Sequence, residues 1–377
     1  MIDVEVKPSA IEGLGLFTTE PCEAGRRLRQ VNVVREVTPE TPLRPDLGER
    51  IDHCDYADGK VFLLGIPDRY LNHSCDPNAY AAYEGASCFI VARRDIAAHE
   101  EITLDYNINV IGGSAWPCHC GATRCRGSTT GDFFLLPEAI QREYVLLLAD
   151  WFVRSHAERL KRLFLVDHAF LAVSRGAPEV KELVRAGFAE GASNTHPGQG
   201  TACRRIFFEN GYLELVWLED AAEAASPLIE RTSLAARTGG IEGASRIGIC
   251  ARPAGETPDT LPVATWPYRP PYLPAGMAIP VAVNSSVRRE PLLFFPPPVS
   301  GRRAAEVRHP NGTRRITQVR VTVAGHGPFS AELDWLAGSG CVQVDVGERE
   351  TLAIELDRGV RGGELLLQAP TPLRLTW

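Results

Sequence analysis

Apolar positions in the first third of the chain come in short, alternating runs. Residues 1–17 read as strand, turn, strand, with the turn at Glu12-Gly13-Leu14-Gly15. Val/Ile-rich runs over 28–37 and 61–66 predict further strands, and Pro39, Pro42 and Pro45 mark a loop between them. Residues 89–91 and 102–106 read the same way. Nothing before Trp116 sustains a helical period, so this third is β-rich. From Pro137 the period changes. Ile140, Tyr144, Leu147, Leu148 and Trp151 stand at i, i+4, i+7, i+8 and i+11, one face of an amphipathic helix. Pro137 suits the first helical position, and the basic stretch Arg154, Arg159, Lys161, Arg162 ends the element.

The second half opens with a strand over 164–173 and a helix over 178–186 capped by Gly187. A loop over 194–201 and strands over 204–208 and 212–218 follow. The same β-α-β-β order recurs near the end: a strand over 316–323, a short helix over 329–336, then strands over 341–346, 351–356 and 364–368. The middle, 219–310, is rich in Pro and Gly, and Pro270-Pro271 and Pro296-Pro297-Pro298 read as rigid turns. The pattern predicts an α+β chain with a β-rich domain over 1–131, a linker helix over 132–162 and a second domain over 163–377.

A chain of 377 residues suits two such domains. The longest apolar run, 144–153, is interrupted by Asp150 and is too short to span a bilayer. No charged-then-apolar leader opens the sequence, so the expectation is a soluble cytoplasmic protein without membrane partners. Net charge is −7, and residues 1–131 hold about 19 Asp/Glu against about 13 Lys/Arg. Such a surface repels phosphate backbones and attracts basic peptides, which disfavours direct nucleic-acid binding. Of the ten cysteines, Cys118, Cys120 and Cys125 are clustered, which points to a metal rather than to disulfides. Three thiolates supply part of a tetrahedral site and need a fourth ligand.

Four signals in the first 127 residues occur in a fixed order. They are the Gly13-Leu14-Gly15 turn; Arg69-Tyr70-Leu71-Asn72-His73-Ser74-Cys75-Asp76-Pro77-Asn78; Glu101-Ile102-Thr103-Leu104-Asp105-Tyr106-Asn107; and Cys118-x-Cys120-x4-Cys125-Arg126-Gly127. Together they resemble a SET domain with its post-SET zinc loop, of a bacterial-type protein-lysine methyltransferase. The resemblance covers roughly residues 3–130. It implies small β-sheets around a pseudoknot, with the Asn72–Cys75 segment threading a loop near Tyr106, an exception to unthreaded chains. It implies S-adenosylmethionine bound by Gly13, Leu14, Gly15, Asn72 and His73, with Arg69 and Tyr70 packing the same pocket. Tyr106 is then the catalytic residue, and Cys75 joins Cys118, Cys120 and Cys125 around a structural Zn2+, with His119 outside the shell. The implied reaction is methyl transfer from S-adenosylmethionine to a lysine of a protein or peptide substrate, one expected to be basic. Three features depart from the family. About 56 residues separate Gly15 from Asn72, a short insert, and no cysteine-rich segment precedes the domain. Leu104 stands where the family usually carries Phe or Tyr, which leaves the number of methyl groups transferred undecided.

In the second half, Asp167-His168, His196-Pro197-Gly198-x-Gly200-Thr201, Tyr212-Leu213-Glu214-Leu215 and His309-Pro310-Asn311-Gly312 resemble the glyoxalase-like group of the vicinal-oxygen-chelate superfamily. The implied fold is paired βαβββ units around a cleft that takes a small-molecule ligand. Strand alternation puts His168 on the face of Val166 and Phe170, and Glu214 on that of Tyr212 and Val216. A His and a carboxylate begin a divalent-metal site, or form a structural pair. The alternative to lysine methylation is that this half is the main enzyme or small-molecule binder, with the first domain an accessory or S-adenosylmethionine-sensing module.

Overall fold

The computed structural model describes residues 2–85, 87–160, 162–254, 260–297, 308–368 and 372–377. Lys161 and Pro298, named above, lie outside them. The chain divides into two compact units, Met1–Ala157 and Glu158–Trp377. Among the described residues no helix is long and apolar enough to cross a membrane.

The first unit is built from small sheets, as the short alternating runs predict. Val4–Pro8 and Leu14–Thr18 form a hairpin across the glycine turn. Arg27–Gln30, Ser87–Ala92 and Ala79–Glu84 make one three-stranded sheet, and Val33–Val37, Lys60–Leu64 and Cys54–Ala57 another. The run read as one strand over 28–37 is therefore two strands in different sheets. Leu16, Leu28, Leu71, Ala79, Ile90, Ala92, Ile96 and Ile102 close the core. Asn72–His73 pairs in parallel with Thr103–Leu104, Asn72 opposite Thr103 and His73 opposite Leu104. This two-residue pairing joins the second and third motifs.

The helix expected from Pro137 is broken. Glu138–Tyr144 is α-helical, Val145–Leu147 is a tighter 3-10 turn, Leu148 and Ala149 are extended, and Asp150–Ser155 resumes the α-helix. The break has a local cause: the Ala149 N–H goes to Asn109 Oδ1 at 2.8 Å instead of to a helical carbonyl. The apolar positions still face inward, and Tyr144, Val145, Leu147 and Phe152 are buried. All of this segment up to Ala157 belongs to the first unit.

The second unit holds an eight-stranded sheet and a five-stranded one. Phe164–Ala172, the helix Val180–Arg185, Asn194–His196, Thr201–Phe208 and Gly211–Leu218 form a βαβββ module. The segment read as a loop over 194–201 thus contains a short strand. In the sheet the first strand of this module pairs in parallel with its last. A second set mirrors it: Ile247–Pro253 pairs in parallel with Leu292–Phe294, and Ile279–Ala282 and Thr265–Tyr268 follow outward. The two first strands meet antiparallel at the centre. The internal repeat therefore lies in the Pro/Gly-rich middle and not at the end of the chain. There, Ile316–Ala324, Ala331–Ser339, Gln343–Gly347 and Thr351–Leu356 keep the β-α-β-β order but place the first strand inside a separate sheet. A core containing Leu171, Leu183, Leu215, Ile249, Val321, Leu336 and Ile354 draws side chains from both sheets and both helices.

Candidate cofactor pocket and cysteine cluster

The glycine turn, the Asn72–Asn78 segment and the Tyr106 strand converge within the first unit. Gly13 has φ +48°, which a side chain rarely adopts. At Gly15 a Cβ would stand 2.2 Å from Glu101 Oε1. That carboxylate cannot swing away freely, because it accepts from Asn72 Nδ2 and from Ser9 Oγ, both at 2.8 Å. Asn72 Nδ2 also donates to the carbonyls of Leu14 (3.0 Å) and Glu12 (3.1 Å). Asn72 thus ties the turn to the strand that leads to Tyr106. Gly15→Ala is expected to cost about 1–3 kcal/mol of stability by overpacking. A thermal melt would measure the effect.

Arg69 and Tyr70 lie on the turn Asp68–Tyr70, which packs against Leu14–Thr18. The Arg69 guanidinium sits 5.5 Å from the Tyr70 ring centroid, and its Nε is buried with no hydrogen-bond partner. A buried guanidinium N–H of this kind suits an acceptor on a ligand. Tyr70 meets the His53 ring edge-on at 6.3 Å.

Tyr106 joins this group through its hydroxyl and its backbone. The hydroxyl donates to the Leu71 carbonyl, and the backbone N–H donates to His73 Nδ1 at 3.2 Å. Burial, and then the Asp52 and Glu101 carboxylates, push the phenol above its usual range. Tyr106 is therefore a hydrogen-bonding group at neutral pH and not a base. Its ring lies 5.3 Å from that of His73 and 6.2 Å from that of Trp116.

His73 connects the pocket to the cysteines. Burial holds its pKa down at about 4, against the opposite pull of Asp105. The ring is neutral, and since Nδ1 accepts from Tyr106, Nε2 carries the proton. Nε2 lies 3.4 Å from Cys75 Sγ, an N–H aimed at sulfur. Cys75, Cys118, Cys120 and Cys125 bring their sulfurs within 4.8 Å of one another, and none is in a disulfide. Cys75 and Cys118 are 3.7 Å apart. Four sulfurs at about 2.3 Å from a central zinc stand roughly 3.8 Å from each other, so the spacing fits. Backbone N–H groups of Cys75, Arg126 and Gly127 point at Cys120, Cys75 and Cys125 Sγ, each at 3.4 Å. His119 is not among the clustered ligands.

Three contributors were not singled out as site residues from the sequence. Glu101 sits inside the Tyr106 motif and Arg126 beside the last cysteine. Arg126 pairs with buried Asp105 at 2.8 Å and donates to the Cys75 carbonyl at 3.2 Å. Both lay in quoted motifs, where charged residues flanking apolar positions were the available signal. Trp116, 42% exposed, gave no such signal.

Residues 13–107 match the family model described as SET domain. The first unit contains a SET domain. Its relatives include human Histone-lysine N-methyltransferase 2B, 34% identical over 137 residues (33% of this chain, 5% of the relative). The Histone-lysine N-methyltransferase, H3 lysine-36 specific, of Candida albicans is 40% identical over 160 residues (36% and 18%). The Histone-lysine N-methyltransferase, H3 lysine-4 specific, of Eremothecium gossypii is 34% identical over 137 residues (32% and 14%). The chain thus spans less than a fifth of the length of these relatives, all eukaryotic. Residues 166–337 match the model described as Glyoxalase-like domain.

In the glyoxalase-like unit the expected His168–Glu214 pair is divided between two groups. Opposite Ala251 and Cys250 stand Val166 and His168, so Asp167 is an extra residue in a bulge. The bulge reverses the alternation: Val166 packs on the main core, whereas His168 shares the opposite face with Phe170. His168 Nδ1 donates to Asp167 Oδ1 at 2.6 Å, and its ring stacks on Tyr212 at 4.3 Å. The groupings of ligand atoms are Asp167, His168 and Cys250 on one hand, and His196, Cys203 and Glu214 on the other. His309 is structural: Nδ1 accepts from the Ala189 N–H and Nε2 donates to the Phe207 carbonyl, both at 2.9 Å.

Proposed function

We propose that this protein transfers a methyl group from S-adenosylmethionine to a lysine side chain of a protein substrate. The observation that carries this reading is the convergence of Tyr106, His73, Asn72 and the glycine turn: Tyr106 N–H donates to His73 and its hydroxyl to the Leu71 carbonyl, and the Asn72 amide donates to the Glu12 and Leu14 carbonyls. When bound, the cofactor supplies an electrophilic methyl on a sulfonium cation. The Gly13-Leu14-Gly15 backbone, Asn72 and His73 would hold it, with the unpartnered Arg69 Nε as a donor to its acceptor atoms. Tyr106, with its hydroxyl fixed on Leu71, orients the incoming amine. Cys75, Cys118, Cys120 and Cys125 would hold a closed, structural zinc that fixes the chain around Trp116 beside Tyr106.

A free lysine has a pKa of about 10.4, so presenting its neutral amine costs roughly 4–5 kcal/mol at pH 7. The buried walls around Tyr106 lower that cost by disfavouring the ammonium. No described group at Tyr106 serves as a base there, so the proton leaves before transfer. The logarithm of kcat/KM is therefore expected to rise with slope near one through pH 7–8.5, since the reactive fraction grows tenfold per unit below the amine pKa. A flat profile would count against rate-limiting use of the neutral amine. The acidic first third favours a basic substrate, and the relatives' names make histone tails the first probe.

The test is direct. The intact protein is incubated with S-adenosylmethionine labelled in its methyl group, together with histones or a bacterial lysate, and label is sought on lysine by mass spectrometry. Label on another residue type, or its absence with every substrate despite cofactor binding, would overturn the reading.

A further inference from the structure

The glyoxalase-like unit carries a second, mixed ligand set. On the face of the eight-stranded sheet opposite the main core, three adjacent strands align His196, Cys203 and Glu214. His196 pairs with Thr201, two residues from Cys203, and Cys203 pairs with Val216, two residues from Glu214. Residues two apart in a strand share a face. An imidazole nitrogen, a thiol sulfur and a carboxylate oxygen are thereby brought within 4.8 Å of one another.

Two observations go beyond this proximity. Glu214 is 9% exposed, yet the one hydrogen bond to it among the described residues comes from the Cys203 thiol at 3.5 Å. A carboxylate so enclosed is costly without a cation. The cation across the ladder, Arg205, is near enough for its charge to act on His196 and Cys203 but forms no ion pair with Glu214 among the described residues; its guanidinium lies 5.0 Å from the Phe207 ring centroid, and its Nε donates to the Ala192 carbonyl. The second observation is that His196 is held by its other nitrogen. Nδ1 stands 2.9 Å from Thr201 Oγ1, which also accepts from Gln199 Nε2 at 2.7 Å. Gln199 Oε1 in turn accepts from the hydroxyls of Tyr268 (2.7 Å) and Tyr272 (3.3 Å). A ring fixed through one nitrogen by an outer layer of hydrogen bonds is how proteins aim the other nitrogen at a metal.

We propose that the glyoxalase-like unit binds a zinc-class divalent cation through His196, Cys203 and Glu214. Nitrogen, sulfur and carboxylate oxygen together suit zinc and its borderline neighbours and not calcium or magnesium, which prefer oxygen alone. Three protein ligands leave a fourth position open to water or to an oxygen of a small molecule. Binding displaces the Cys203 proton to solvent. The site differs from the His168–Glu214 pair that the sequence suggests, and it is independent of the methyl-transfer reading.

The experiment counts metal. Intact protein is stripped with a chelator under reducing conditions, re-equilibrated with Zn2+ and analysed by elemental mass spectrometry, alongside Glu214→Gln and His196→Gln. Each variant is expected to hold one zinc fewer per chain than the parent, with unchanged circular dichroism and unchanged methyl transfer. Cobalt(II) provides a second readout: Cys203→Ala should remove a thiolate charge-transfer contribution that Cys120→Ser leaves in place. Equal zinc content in the parent and in both glutamine variants would overturn the proposal, whatever the cysteine cluster holds. A variant that fails to fold leaves the decision to the other variant and to the cobalt spectrum of the parent, which must then lack the Cys203 contribution for the idea to fail.

Discussion

Tyr106→Phe is expected to slow methyl transfer by roughly 10²–10³-fold, the usual loss when one well-placed hydrogen-bonding group is removed from a reacting centre. The effect should fall on kcat, with cofactor affinity nearly unchanged, because the proposed cofactor contacts come from the Gly13–Gly15 turn, Asn72 and His73. The ring itself is retained between His73 and Trp116. The bond from the hydroxyl to Leu71 is lost, which costs about 1 kcal/mol. For a unit of this size that lowers the melting temperature by about 2–4 °C. Single-turnover kinetics beside a melt would separate the two effects. A variant that keeps its rate would remove Tyr106 from the chemistry while leaving the fold intact.

The second large effect is expected at the cysteines. Cys120→Ser should weaken zinc binding by more than the ~10–100-fold seen when only an outer partner of a ligand is lost. Methyl transfer should fall with it. The reason lies in His73, which reaches Tyr106 with one ring nitrogen and Cys75 with the other. Loosening the cysteine cluster therefore loosens the support of the Tyr106 segment. Zinc release to a chromogenic chelator, followed in parallel with activity, would test this. Chelating the parent protein should reproduce the loss. Full activity after complete zinc removal would sever the link. Unchanged zinc content in Cys120→Ser would rule out the four-sulfur site.

The sequence made the first unit far more legible than the second. Its signals are local: a glycine pair, a dense polar segment, a tyrosine strand and a cysteine triplet each keep their chemistry within a few residues. The parallel pairing of Asn72–His73 with Thr103–Leu104 leaves no such trace, because two residues cannot display a period. In the second unit the mirrored half of the sheet was hidden by its own strands. Trp266-Pro267 and Ile279-Pro280 fall in the Pro/Gly-rich middle, where no strand pattern stands out, yet these short strands lie toward the outer end of the sheet, where proline is tolerated. The bulge at Asp167 defeated the alternation argument for His168, since one inserted residue turns the preceding Val166 to the opposite face. Cys203 was passed over because a single cysteine in an apolar strand reads as core.

The segment from Pro137 to Ala157 reads as a connector, but it works as a buttress. Glu143 clamps Arg93 and Arg124 together, and the Tyr144 hydroxyl donates to the Cys75 carbonyl at 3.3 Å. One short helix thus braces the sheet, the cysteine-bearing loop and the polar segment at a single point. Anyone grafting the amino-terminal module onto another scaffold has to carry the chain through Ala157. Severing it at the last glycine of the cysteine region would leave Arg93 and Arg124 to share Asp76 and the cysteine-bearing loop without its brace.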